Sequence, residues 1–140
     1  MKNTGKSSER DFESRLDALG KRAYYTRLVD AAEVVGRTGR IGFSRSQPSD
    51  YVVTLHGNTF YAEVKSTVHE KLFQFSLLRT SQSGAAIMIL GAGGEYWIFL
   101  HHLLTGNWYR IPYRVVFDAK QNGRASLSWI ELEDYLYDFS

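Results

Sequence analysis

Between positions 50 and 65 the large apolar residues fall at every second position on either side of a short polar break. Tyr51, Val53 and Leu55 precede the break, and Phe60, Ala62 and Val64 follow it. This is the period of strands with one face in a core. His56-Gly57-Asn58 lies between the two runs and predicts a tight hairpin turn. The pairing that keeps the apolar face continuous sets Val53 opposite Phe60, and therefore Asp50 opposite Glu63. Lys65 shares the face of Glu63, so the hairpin predicts three charged residues facing outward and six apolar ones facing the core. A bulge or a one-residue slip at the turn would carry Asp50 to the wrong face; the continuity of the apolar face argues for this register.

Elsewhere the pattern is of mixed strength. Residues 8–19 read as a helix with Phe12, Leu16 and Leu19 on one face, a Ser7 or Ser8 cap and a Gly20 stop. A short strand follows over 23–28, and 30–35 fits either a helical turn or an irregular link. Leu72 to Ser81 reads as a helix, with Gln74, Leu77, Leu78 and Ser81 at turn spacings and Gly84 ending it. Ala85 to Leu90 is continuously apolar and of strand length, the pattern of a central strand covered on both faces. A glycine turn over 91–94 leads to a strand at 96–100. Beyond it, 101–104 fits a helical turn, 108–111 is extended, 113–118 is ambiguous, 125–130 is a strand and the tail is amphipathic. There is no repeat or linker, which predicts one α/β domain over 1–140 with a mixed central β-sheet flanked by helices.

Composition changes this picture little. With 140 residues, 44% hydrophobic and 23% charged, the chain suits a single globular domain with a real core. The absence of cysteine removes disulfides, a thiol nucleophile and cysteine-based zinc sites, and is compatible with a reducing cytoplasm. No apolar run approaches the roughly 20 residues of a membrane helix, and the start MKNTGKSSER has no signal-peptide core. A soluble, cytoplasmic protein without a membrane partner is expected. No phosphate-binding glycine loop with its lysine is present, so no nucleotide cofactor is expected.

Charge distribution matters more than the formal net charge of +2. Ten basic residues precede position 50, whereas the last ten residues carry Glu131, Glu133, Asp134 and Asp138 and no base. One end suits a polyanion. The stretch 37–45 mixes arginine with glycine and serine, the composition of a loop that can mould to a phosphate backbone.

The hairpin trio supplies candidate chemistry. Two carboxylates a few ångströms apart repel by on the order of 4 kcal/mol at an effective dielectric near 20, which a cation between them relieves. Oxygen ligands favour a hard ion, Mg²⁺ or Mn²⁺, that keeps several waters. One such water would be the nucleophile toward a phosphodiester.

Pro48-Ser49-Asp50 followed by Glu63-Val64-Lys65, with Gly5-Lys6-Ser7-Ser8-Glu9-Arg10 upstream, resembles the PD-(D/E)XK nuclease superfamily, and within it archaeal-type and RecU-like Holliday junction resolvases. The resemblance covers roughly the first two thirds of the chain and departs from both subfamilies between Arg27 and Pro48. It implies a restriction-endonuclease-like fold and cleavage of DNA four-way junctions by a homodimer whose twofold symmetry presents two sites. Glu9 becomes the early acidic member of the site, binding a second metal or orienting water. Asp50, Glu63 and the carbonyl of Val64 hold one Mg²⁺, and Lys65 positions or activates the attacking water. A glutamine in the helix after the hairpin belongs to the pattern; Gln74 suits it, with Gln82 as its rival.

Lys6, Arg10, Arg27, Arg37, Arg40 and Arg45 are the expected contacts to DNA phosphates. The four histidines are expected to be non-catalytic, His69 being the one best placed to touch DNA. The aromatic-rich second half can supply either a dimer interface or ordinary core. Compactness and the departures from both subfamilies suggest a phage source. Two other readings stand beside the resolvase: a flap, fork or general repair nuclease with the same chemistry, and a non-catalytic nucleic-acid-binding module.

Overall fold

The computed structural model describes residues 4–29 and 47–140. Helix α1 spans Thr4–Ala18 and buries Phe12 and Leu16, with Leu19 just beyond its end, on the apolar stripe expected from the sequence. Strands β1 (Ala23–Arg27), β2 (Tyr51–Leu55) and β3 (Asn58–Thr67) follow as an antiparallel set. Val53 pairs with Phe60 and Tyr51 with Ala62, the register read from the apolar alternation. His56 and Gly57 both have positive φ, 50° and 90°, as a two-residue turn that follows the strand twist requires; histidine takes a conformation usually left to asparagine or glycine.

The segment after the hairpin departs from expectation. Leu72–Gln74 is a short strand, β4, followed by a 3₁₀ turn at Phe75–Leu77. Helix α2 runs from Thr80 to Gly91, so 85–90, expected as a central strand, is helical, and the helix expected over 72–81 begins about two turns later. A continuous apolar run does not distinguish the two states. Here Ala85, Ala86, Met88 and Leu90 favour a helix, and twelve residues bounded by a glycine stop have helix rather than strand length. The stop is a Schellman arrangement: Gly93 has φ 90°, its N–H donates to the Leu90 carbonyl at 3.0 Å, and the Gly94 N–H donates to that of Ile89 at 2.9 Å. A Cβ on Gly94 would lie 2.8 Å from Ile89 Cγ2.

The strand covered on both faces is β5 (Tyr96–His102), which lies parallel to β3. A parallel neighbour needs a long crossover, and the segment carrying β4 and α2 provides it. Strand β6 (Asn107–Pro112) pairs antiparallel with β5. Helix α3 (Tyr113–Gln121) follows where the sequence was ambiguous, then β7 (Ser126–Ser128), paired with β4, and β8 (Leu136–Tyr137), paired with β6. Residues 101–104 end β5 and enter a turn rather than a helix. The main sheet has the mixed order β1-β2-β3-β5-β6-β8. Packed on one face is α1, against Tyr51, Val53, Phe60, Ala62, Val64, Phe99 and Trp108; α2, α3 and the β4–β7 pair contribute to the core on the other, with Tyr96, Ile98, Leu100, Tyr109 and Ile111. The aromatic residues of the second half thus pack largely within the chain's own core. No helix among the described residues is long and apolar enough to cross a membrane.

Candidate active site

Asp50 stands just before β2, and Glu63 and Lys65 lie two residues apart on β3. Extending the β2–β3 register by one pair brings Asp50 opposite Glu63. The Val64 N–H donates to Asp50 Oδ2 at 2.8 Å. In an extended strand the N–H and C=O of one residue point to the same side, so the Val64 carbonyl also faces the side of β3 on which Asp50 lies. Lys65 Nζ is 3.8 Å from Glu63 Oε2.

The hairpin alone predicts that this trio faces outward, yet the face is covered at Glu63. Glu63 is only 2% exposed, because α2 and the start of β5 cover it. The Tyr96 hydroxyl lies 3.0 Å from Glu63 Oε1 and 2.6 Å from the Pro48 carbonyl, bridging β3 to the turn that carries Asp50. Gln82, itself 2% exposed, sits on α2 above Glu63. In the amide orientation that satisfies its neighbours it donates to both Glu63 oxygens, at 3.0 and 3.1 Å, and accepts from Arg79 Nη2 at 3.1 Å. A buried ionised carboxylate costs several kcal/mol unless hydrogen bonds and charges compensate; these contacts provide part of that compensation.

The remainder shows in the ionisation. Burial, reinforced by the charge of Asp50 and opposed by Lys65, Tyr96 and Arg79, pushes Glu63 up to about 7. Asp50 is raised by burial, against the opposing pull of the Val64 N–H and of Lys65, Arg79 and Arg27. Glu9 on α1 is raised by burial and by the charge of Asp50, while Arg27, 3.6 Å away, pulls it down. Three carboxyls that resist ionisation at one place are a feature of functional sites. Among the described residues, no three histidine or acidic side chains converge closely enough to hold a metal ion by themselves. What Asp50, Glu63 and the Val64 carbonyl offer is a small oxygen-only donor set, which fits a hard divalent ion that keeps most of its own waters.

The other expected residues separate. Gln74 is exposed on β4 and borders a shallow cleft with Lys120, Arg124 and Ser126, so it is Gln82 that stands beside the trio. Lys6, Arg10 and Arg27 gather with Glu9 and Glu13 around a groove of about 170 Å³. Arg37, Arg40 and Arg45 lie outside the described residues. Of the histidines, His69 Nδ1 accepts the Lys71 and Leu72 N–H groups, His101 bonds Ser8 and stacks on Trp108, and His102 stacks on Trp129. Sequence reasoning did not single out Tyr96 or Arg79. Tyr96 reaches the site only through the parallel β3–β5 pairing, for which the chain carries no local signal, and Arg79 only once 80–91 is known to be helix.

No family model matches the chain, and no curated protein does either. Among solved structures the chain is similar to Hjc of Archaeoglobus fulgidus, described as a Holliday junction resolvase from an archaeal hyperthermophile. The TM-score is 0.53 at 20% identity, over 78% of this chain and 77% of that one. At that identity the likeness speaks to architecture: the chain has the mixed-sheet α/β fold of that resolvase.

Proposed function

We propose that this chain is a metal-dependent DNA endonuclease acting on branched DNA, foremost four-way junctions. The observation that carries the reading is the meeting of Asp50, Glu63 and Lys65 on one face of a hairpin, with Glu63 buried and held by Gln82 and Tyr96. The junction as substrate draws on the shared fold with the archaeal resolvase.

Asp50, Glu63 and the Val64 carbonyl would hold Mg²⁺, with Mn²⁺ able to replace it. A metal bound there lowers the pKa of a coordinated water and polarises the phosphate. Lys65, with its ammonium group 3.8 Å from Glu63, orients the attacking water and offsets charge growing on the phosphate oxygens. Gln82 and Tyr96 fix the Glu63 carboxylate so that its oxygens do not swing away as it ionises. Glu9 orients water or holds a second ion from α1, and Lys6, Arg10 and Arg27 bind the backbone of an arm without reading bases. Twofold symmetry in the junction calls for a homodimer making paired nicks.

The test is cleavage of a labelled four-way junction, a flap, a duplex and a single strand, in Mg²⁺ and in EDTA, by the wild type and Lys65→Ala. Symmetric nicks confined to the junction, dependent on metal and lost in the variant, are expected. Preference for the flap or duplex would keep the chemistry and replace the substrate. Binding without cleavage in either Mg²⁺ or Mn²⁺ would overturn the enzyme reading in favour of a binding module.

A further inference from the structure

Charge balance leads to one more residue. Asp50 and Glu63 carry two negative charges once ionised, which a divalent cation matches. A phosphodiester brings a third, and attack by a deprotonated water adds a fourth as phosphorus passes through its five-coordinate state. Lys65 supplies one compensating positive charge. In a site that partly excludes water, an unmatched charge is costly and a fixed counter-charge correspondingly effective.

Arg79 stands where a second positive charge is needed. It immediately precedes α2 and is exposed. Its guanidinium is nevertheless oriented, because Nη2 donates at 3.1 Å to the same Gln82 amide that bonds both oxygens of Glu63. The chain of contacts from Arg79 through buried Gln82 to Glu63 fixes the arginine relative to a candidate metal ligand. Its charge bears on Asp50 and Glu63 alike. Arg27, whose charge also reaches Asp50, lies 3.6 Å from Glu9 on the α1 side of the site. A planar guanidinium matches phosphate oxygens in a way that a point charge does not.

We propose that Arg79 is a catalytic residue of this site, its guanidinium gripping a non-bridging oxygen of the scissile phosphodiester and matching the charge that builds there. Water oxygen bonds to phosphorus, one ester P–O bond breaks, the proton lost from water passes to solvent and the departing oxygen takes one up, so water is the only co-reactant. Gln82 is the positioning residue that holds the arginine and Glu63 in fixed relation. The inference rests on the nuclease reading above.

It is tested by single-turnover cleavage of the four-way junction in Mg²⁺ with wild type, Arg79→Ala and Arg79→Lys, alongside junction affinity in Ca²⁺ and the rise in Tm on adding Mn²⁺. Arg79→Ala is expected to cut about 10²–10³-fold more slowly, with junction affinity falling far less than the rate and the Mn²⁺ response close to wild type, and Arg79→Lys to recover part of the rate. Arg79→Ala cutting at the wild-type rate would overturn the proposal. So would a joint loss of rate and Mn²⁺ response in Arg79→Ala, which would mark the arginine as a structural support of the metal ligands. A wild type that cuts no DNA in Mg²⁺ or Mn²⁺ would instead bring down the nuclease reading, and this inference with it.

Discussion

The two faces of β3 carry opposite kinds of packing. Toward α1 it presents Phe60, Ala62 and Val64, and the cluster there is dominated by rings: Phe12 has its centroid 5.1 Å from Tyr51 and 4.9 Å from Phe99, with Trp108 and Phe139 close by. Toward α2 the same strand presents Glu63 and Lys65, and what covers Glu63 is a hydroxyl and an amide, Tyr96 and Gln82. Adjacent residues on one strand thus bury an aromatic core on one side and a carboxylate on the other. The aromatic face contributes stability through area and contact. The polar face gives up some of that stability to keep an acid desolvated.

Substitutions on the two faces should therefore fail differently. The largest effect belongs to the polar face: Lys65→Ala is expected to slow junction cleavage by roughly 10²–10⁴-fold while its thermal unfolding remains cooperative, as single-turnover rates and calorimetry would show. Phe12→Ala, on the aromatic face, is expected to cost about 3–5 kcal/mol in denaturant unfolding, with the cleavage rate per folded molecule retained. Equal loss of rate in both variants would erase the distinction between the faces.

A pH series sharpens it further. Glu63 sits at about 7 in the folded protein against an ordinary 4.5, so its neutral form is favoured by folding. The associated stability is complete below 4.5 and is lost as pH rises through about 7, amounting to roughly 3 kcal/mol by pH 8 in the absence of metal. Asp50 and Glu9 are shifted in the same direction. Glu63→Gln is expected to melt higher than the wild type at pH 8 and to flatten the profile, at the expense of cleavage. A metal bound as proposed would select the ionised form, so the Tm gain from Mn²⁺ should be larger at pH 8 than at pH 5.5 in the wild type and nearly absent in Glu63→Gln. The smallest effect lies at the far end of the same face, where Thr54 and Thr59 share a hydroxyl contact at 2.7 Å near solvent. Thr54→Ala is expected to cost about 0.2–1 kcal/mol in equilibrium unfolding and to leave the site unchanged.

Legibility followed the range of the forces involved. The hairpin was readable because alternation and turn chemistry are local, and they carried Asp50, Glu63 and Lys65 into place together. Helix α1 was readable from the spacing of Phe12, Leu16 and Leu19, but its start was not: it begins at Thr4, so Ser7 and Ser8 lie inside it and do not cap it. The crossover was not, since an apolar run such as 85–90 satisfies a buried strand and a helix equally until its neighbours are known. The same ambiguity decides the glutamine: a helix over 72–81 puts Gln74 near its start, whereas α2 begins at Thr80 and its first turn carries Gln82 inward.

The chain by itself determined which residues share a face, where the hairpin turns, and that two carboxylates and a lysine would be neighbours. Those are consequences of strand periodicity, a property of consecutive residues. Only the tertiary structure decided that this face would be covered, that Glu63 would hold its proton up to about 7, and that Tyr96, Gln82 and Arg79 would be its company. Desolvation and charge depend on what packs against a side chain, and here the packing partners come from a helix and a parallel strand that only the fold of the crossover brings back to the hairpin.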